Sequence, residues 1–221
     1  MFSKKSLAFL EDIQANNNRD WFLSQKKRYE EYKKEYHALI AAFLDAMKPH
    51  DSTLELLEVK NCTFRINRDI RFSKDKSPYK THMGIWMNTN AGNSNGPGYY
   101  LHIEKGKSFA AGGFYSPENS ELKKIRNEIA FFYDDLEALI AEKKFKKFYK
   151  GLDTNNTLKT APKDFDKEHP AIAFLKLKSF TVSTPIPDAE LFDKDFVKKT
   201  SEKLLAIKPL NDFLSRGLSA E

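Results

Sequence analysis

The sequence predicts an α+β protein, with an antiparallel sheet of about four to six strands in mid-chain packed by N-terminal and C-terminal helices. Three observations predict it. Apolar residues recur at helical spacing over residues 6–47 and again after Pro117. Between residues 62 and 115 they alternate with the period of a strand. The connections in that middle stretch are short, which favours antiparallel pairing and a meander. A chain of 221 residues, 40% hydrophobic, is long enough for one substantial core, so a single domain over residues 1–221 is expected.

Each element has its own signal. Residues 6–14 carry Leu7, Leu10 and Ile13 at helical spacing. Asn16, Asn17 and Asn18 then break the pattern, since asparagine both ends helices and caps the next one. A long helix is predicted over 19–47, with Trp21, Phe22, Tyr29, Tyr32, Tyr36, Ile40 and Phe43 as an aromatic-rich stripe. Strands are predicted at 62–72, 84–88, 99–104 and 108–115, the last two forming a hairpin. The loop at 88–98 is flexible by its Gly, Asn and Ser content. Helices follow Pro117, residues 151–166 form an extended connection, and His169-Pro170 starts a short helix. Residues 180–183 read as one more strand. Asp188 caps a helix running to Ile207, and Pro209 starts the last one.

Composition excludes several classes. The longest clear apolar run, residues 38–44, is far too short to span a bilayer, so no membrane association is expected. The N-terminus makes a poor signal peptide, because its apolar stretch ends at Glu11 and Asp12. Cys62 is the only cysteine; it allows no intrachain disulfide and fits a reducing cytoplasm. Cys62 falls on the apolar face and reads as a small buried hydrophobe. The net charge is +6, and residues 60–82 alone hold seven Lys or Arg against two Asp. A basic balance admits anionic small molecules or nucleic acid as partners.

The most informative stretch is Arg65-Ile66-Asn67-Arg68-Asp69-Ile70-Arg71-Phe72-Ser73-Lys74-Asp75-Lys76-Ser77-Pro78-Tyr79-Lys80. It reads as a strand followed by a loop that Ser-Pro closes. Basic groups on a rigid strand and its loop are what an anion site needs. Together with Asn16 to Phe22, with Gly98 to His102, with Gly112 to Pro117, with Arg126 and with Lys176 to Phe180, it resembles a widespread, mainly bacterial family catalogued as a domain of unknown function. The similarity runs from about Phe9 to about Leu214. It implies a single-domain cytoplasmic protein and transfers no catalytic role.

The candidate ligand-binding residues are therefore Arg65, Arg68, Arg71, Lys76, Tyr79, Lys80 and, if the asparagine junction folds against them, Arg19. Strict alternation points Arg68 at the apolar face, where a guanidinium needs a carboxylate such as Asp69 or Asp75, or a bulge that turns it outward. His82, His102 and Asp69 are the candidates for moving protons. No metal is expected, because no His-x-x-x-His or paired-carboxylate spacing occurs. Gly112-Gly113 marks a close backbone approach or a bulge.

Three functions fit this pattern. The first is binding of a phosphorylated or otherwise anionic ligand at the basic strand and loop. The second is a phosphoester hydrolase in which the same cations stabilise developing charge and a His/Asp pair moves protons. The third is a non-enzymatic protein-interaction module in which the Arg/Asp motif is architecture.

Overall fold

The computed structural model of the chain describes residues 2–90 and 95–219. Within the loop expected at 88–98, residues 91–94 lie outside the described residues. The fold is α+β, with one antiparallel sheet of four strands in the order β1-β2-β3-β4. These are β1 (Met83–Asn88), β2 (Gly98–Ile103), β3 (Phe109–Phe114) and β4 (Phe180–Pro185). β1, β2 and β3 follow one another as the meander expected from their short connections, and β4 joins beside β3 after the helices that lie between residues 114 and 180. Around the strands come α1 (Lys4–Ala15), α2 (Arg19–Ser24), α3 (Lys26–Met47), α4 (Asn119–Phe131), α5 (Tyr133–Ala141), α6 (Lys143–Lys146), α7 (Ile172–Leu175), α8 (Phe196–Leu205) and α9 (Lys208–Ser219). Among the described residues no helix is long and apolar enough to cross a membrane.

The described residues group into two compact units. The first comprises Met1–Met87, Tyr100–Ala110 and Pro185–Ser201. Its core gathers Phe9, Leu10 and Ile13 from α1 with Tyr32, Tyr36, Leu39, Ile40 and Phe43 from α3, all buried. The asparagine triplet does three separate jobs here. Asn16 is the C-cap of α1. Asn18 caps α2 by accepting from the Trp21 N–H. Asn17 clamps Tyr79: its amide donates to the Tyr79 carbonyl at 2.9 Å and accepts from the Tyr79 N–H at 3.0 Å. One side chain thus satisfies both backbone groups of a residue 62 positions away, as a neighbouring strand would.

Three expectations are corrected in this unit. The helix predicted over 19–47 is interrupted at Gln25, whose backbone is not helical (φ −99°, ψ 16°). The Ser24 hydroxyl bonds the Trp21 carbonyl and competes with the helix ladder, while Phe22 turns to stack on Tyr79 at 4.0 Å. The strand predicted at 62–72 is not a strand. It makes single bridges, Thr63 to Ile85 and Asn67 to Tyr79, and the chain folds back on itself with Arg68 N–H donating to Pro78 and Lys80 N–H to Ile66. The cause is local: the Asp69 carboxylate takes the Arg71 N–H and the Asp75 carboxylate takes the Ser77 N–H. On the expected apolar face Cys62 and Ile66 are buried, but Phe64 is exposed and Phe72 is 96% exposed. The helix predicted from Asp188 begins instead at Phe196 after a 3-10 turn, because the Asp188 carboxylate accepts from the Gly106 N–H rather than from a helix of its own.

The second unit comprises Asn88–Tyr99, Ala111–Thr184 and Glu202–Glu221. Here α4 and α9 approach closely. A Cβ on Gly217 would lie 2.7 Å from the Glu128 Cβ, so only glycine fits, and Arg216 pairs with buried Glu128 and with Asp135. Gly113 has φ +102°, and a Cβ there would meet the Phe180 carbonyl at 2.0 Å. Gly113 is thus a requirement of β3 lying against β4, and Gly112, where a Cβ would lie 2.6 Å from the Gly98 carbonyl, of β3 lying against β2.

Candidate functional site

The first unit holds a cleft of about 220 Å³. One wall is a single face of α3, since Tyr29, Tyr32, Lys33, Tyr36 and His37 recur at helical spacing. The other wall is the bridged segment 63–67 with residues 80 and 82–84. Tyr36 ties the two together beneath the cleft. Its hydroxyl donates to the Gly84 carbonyl and accepts from the Phe64 N–H at 2.9 Å. Burial pushes the Tyr36 phenol up to about 12, against the pull of the Phe64 N–H, so it stays a neutral donor.

Three cations face this space: Lys33, Arg65 and Lys80. Lys33 and Arg65 are exposed at the rim, and Lys80 is half-buried. The Lys80 ammonium donates to the Arg65 carbonyl and lies 5.5 Å from the centre of the Phe64 ring. Burial, and then the Arg65 guanidinium, hold its pKa below the usual lysine range. Among the described residues no carboxylate forms an ion pair with any of the three.

Of the motif's remaining cations, exposed Lys74 forms no ion pair among the described residues, and Arg68, Arg71 and Lys76 are engaged elsewhere. Arg68, 27% exposed at its side chain, bonds Asp75 at 2.5 Å and the Ser77 carbonyl at 3.0 Å. Arg71 makes a two-pronged pair with Asp69, through Nε at 3.0 Å and Nη2 at 2.7 Å. Lys76 donates to the Ile70 carbonyl. Tyr79 is buried against Phe22 and clamped by Asn17. Arg19 is exposed on α2 and does not line the cleft. Of the seven residues predicted to bind ligand, Arg65 and Lys80 line the cleft, and Arg68, Arg71, Lys76 and Tyr79 build the loop beside it. Sequence reasoning missed Lys33 and His37. Both follow Tyr29 at steps of four along α3, a signal visible once the tyrosine stripe is taken as one face.

His82 lines the cleft, and its ring stacks on that of His102 with centroids 4.5 Å apart. The other face of His102 stacks on Phe109 at 4.8 Å. Tyr100 and His102 on β2 and Glu104 just past its end form one row. His102 Nδ1 bonds the Tyr100 hydroxyl and Nε2 bonds the Glu104 carboxylate, each at 3.1 Å. Burial, and then His102, push the His82 imidazole down to about 4, leaving it neutral near pH 7. Burial opposes ionisation of Glu104, but hydrogen bonds from His102 and Lys107 outweigh it and lower its pKa. Burial raises the Tyr100 phenol to about 12. Asp69 is apart from this row, paired with Arg71. Cys62 is buried, and burial pushes its thiol up to about 11, so it is no ready nucleophile.

An α+β protein with a cation-lined, tyrosine-walled cleft and a histidine pair at its edge is the class that fold and site define. The chain belongs to the family described as conserved hypothetical protein (DUF2461), whose model matches residues 5–213. No curated protein and no solved structure matches it.

Proposed function

We propose that the protein binds a small phosphorylated or otherwise anionic molecule in the cleft between α3 and residues 63–67. One observation carries this reading: Lys33, Arg65 and Lys80 converge on one hollow with no carboxylate to neutralise them among the described residues. Holding a half-buried ammonium beside a guanidinium is costly, and an anion placed between them removes that cost. Arg65 offers a planar fork, Lys33 and Lys80 compact charges, and the tyrosines hydroxyls and ring faces. Size selects among anions. A cleft of about 220 Å³ lies below the roughly 300–1,000 Å³ that encloses drug-sized ligands. It suits a phosphoryl group with a small organic part better than a nucleic-acid segment.

A second reading, phosphoester hydrolysis, is favoured by His82. It lies on the cleft wall, its ring stacks on His102, and His102 is hydrogen-bonded to Glu104, so groups able to carry protons lie close to the cleft.

The test is a thermal-shift and calorimetric screen of inorganic phosphate, pyrophosphate and small phosphomonoesters, since a ligand of the native state raises its melting temperature. A saturable rise is expected, lost in Arg65→Gln and Lys80→Gln and kept in Arg71→Gln. No rise with any probe, or an equal rise in all variants, overturns the binding reading. Release of phosphate from a monoester by the parent but not by His82→Gln would support hydrolysis.

A further inference from the structure

We propose that His82, His102 and Glu104 form a binding site for a divalent first-row transition ion. The inference shares His82 with the cleft wall but stands on the geometry of β2 and its neighbours, with no anion needed. One donor atom from each residue lies within 4.8 Å of the other two. Two of them are already placed: His102 Nε2 and Glu104 Oε2 are 3.1 Å apart. Donors around a tetrahedral ion with bonds of about 2.0–2.1 Å sit roughly 3.3 Å apart, so this pair needs little adjustment. His82 must close by at most about 1.5 Å and turn from ring stacking to an edge-on approach. It lies in a bend just before β1, outside the hydrogen-bonded strand.

The surroundings match those of a metal-binding histidine. His102 is held between the His82 and Phe109 rings, with 12% of its side chain exposed and 17% of that of Glu104. Its second nitrogen, Nδ1, is 3.1 Å from the Tyr100 hydroxyl. A ligating imidazole commonly donates its other N–H to such a partner, so an ion on Nε2 would displace the proton now shared with Glu104 and leave Nδ1–H to donate to the Tyr100 oxygen. Two imidazoles and one carboxylate suit zinc, cobalt or ferrous iron better than calcium or magnesium, and three protein donors leave open positions.

The test uses the full chain, stripped with a chelator and freed of phosphate, then titrated with Zn²⁺ by calorimetry and with Co²⁺ by visible absorption. One ion per chain is expected, with Co²⁺ bands of four- or five-coordinate intensity. His82→Ala and Glu104→Gln should each weaken Zn²⁺ binding at least tenfold, whereas exposed His50→Ala should leave it within twofold. Tyr100→Phe keeps every donor and should weaken binding by up to tenfold through the tautomer alone. Because His102 is packed between two rings, circular dichroism and a melt check the fold of each variant, and Glu104→Gln decides if a histidine variant unfolds. Failure of the parent to take up one Zn²⁺ overturns the proposal, as does equal binding by parent and Glu104→Gln. Either result leaves the anion cleft untouched, since no anion is present in the titration.

Discussion

Two groups of cations between residues 60 and 82 share composition and differ in what surrounds them. In the loop, Arg68 and Arg71 each meet a carboxylate, Asp75 and Asp69, within hydrogen-bond distance. Their electrostatics are satisfied inside the protein, and exposed pairs of this kind contribute little to stability. In the cleft, Arg65 and Lys80 line the same hollow as Lys33, no carboxylate among the described residues pairs with them, and burial and then the Arg65 charge lower the pKa of Lys80. The lesson is that charge density along the chain does not mark a binding site. What distinguishes the cleft is that Lys33, Arg65 and Lys80 line one hollow and none of them forms an ion pair among the described residues, which is why the binding proposal rests there.

Four substitutions test this contrast. The largest effect should come from Lys80→Glu, which replaces a charge-assisted contact with repulsion. Binding of inorganic pyrophosphate should weaken about 100-fold or more by calorimetry, while Arg71→Glu in the loop changes it less than about threefold. Equal losses in both would erase the distinction. Next is Tyr36→Phe, which leaves the Gly84 carbonyl and the Phe64 N–H without their partner beneath the cleft. A loss of about 1–3 kcal/mol in denaturant unfolding is expected, with weaker anion binding as the walls loosen.

A smaller effect is expected from Asn17→Ala. It removes both hydrogen bonds to Tyr79, which anchor the loop and not the cleft, at a cost of about 1 kcal/mol. Anion affinity should be nearly unchanged. The smallest is Asp75→Asn. The Ser77 hydroxyl and N–H, and then the Arg68 guanidinium, hold the Asp75 carboxyl down to about 2. The folded value lies below the ordinary one of about 3.9, so folding favours the ionised form. That stability is complete above about pH 4 and is lost as pH falls through 2. Melting temperatures recorded between pH 7 and 2 should fall less steeply for Asp75→Asn than for the parent.

The α+β class and the four sheet strands were legible because alternation and short connections are local signals. Residues 62–72 mimic that alternation, yet Asp69 and Asp75 carry side chains that capture nearby backbone N–H groups, and a period-two pattern does not register such competition. Half of the cleft was legible. Arg65 and Lys80 stood out by charge, and Tyr29, Tyr32 and Tyr36 by spacing, but which face of α3 meets residues 63–67 is a tertiary fact. The row Tyr100, His102, Glu104 follows from strand period alone. Its meeting with His82 depends on the register between β1 and β2, which spacing along the chain does not supply.

Backbone amide chemical shifts, followed by NMR as inorganic pyrophosphate is added to the full chain, separate the two groups of cations in a single titration. Saturable changes at Lys33, Arg65, Lys80 and His82, with residues 69–77 unmoved, are the expected result. Changes concentrated at residues 69–77, or no saturable change anywhere, would contradict a basic cleft built to receive an anion.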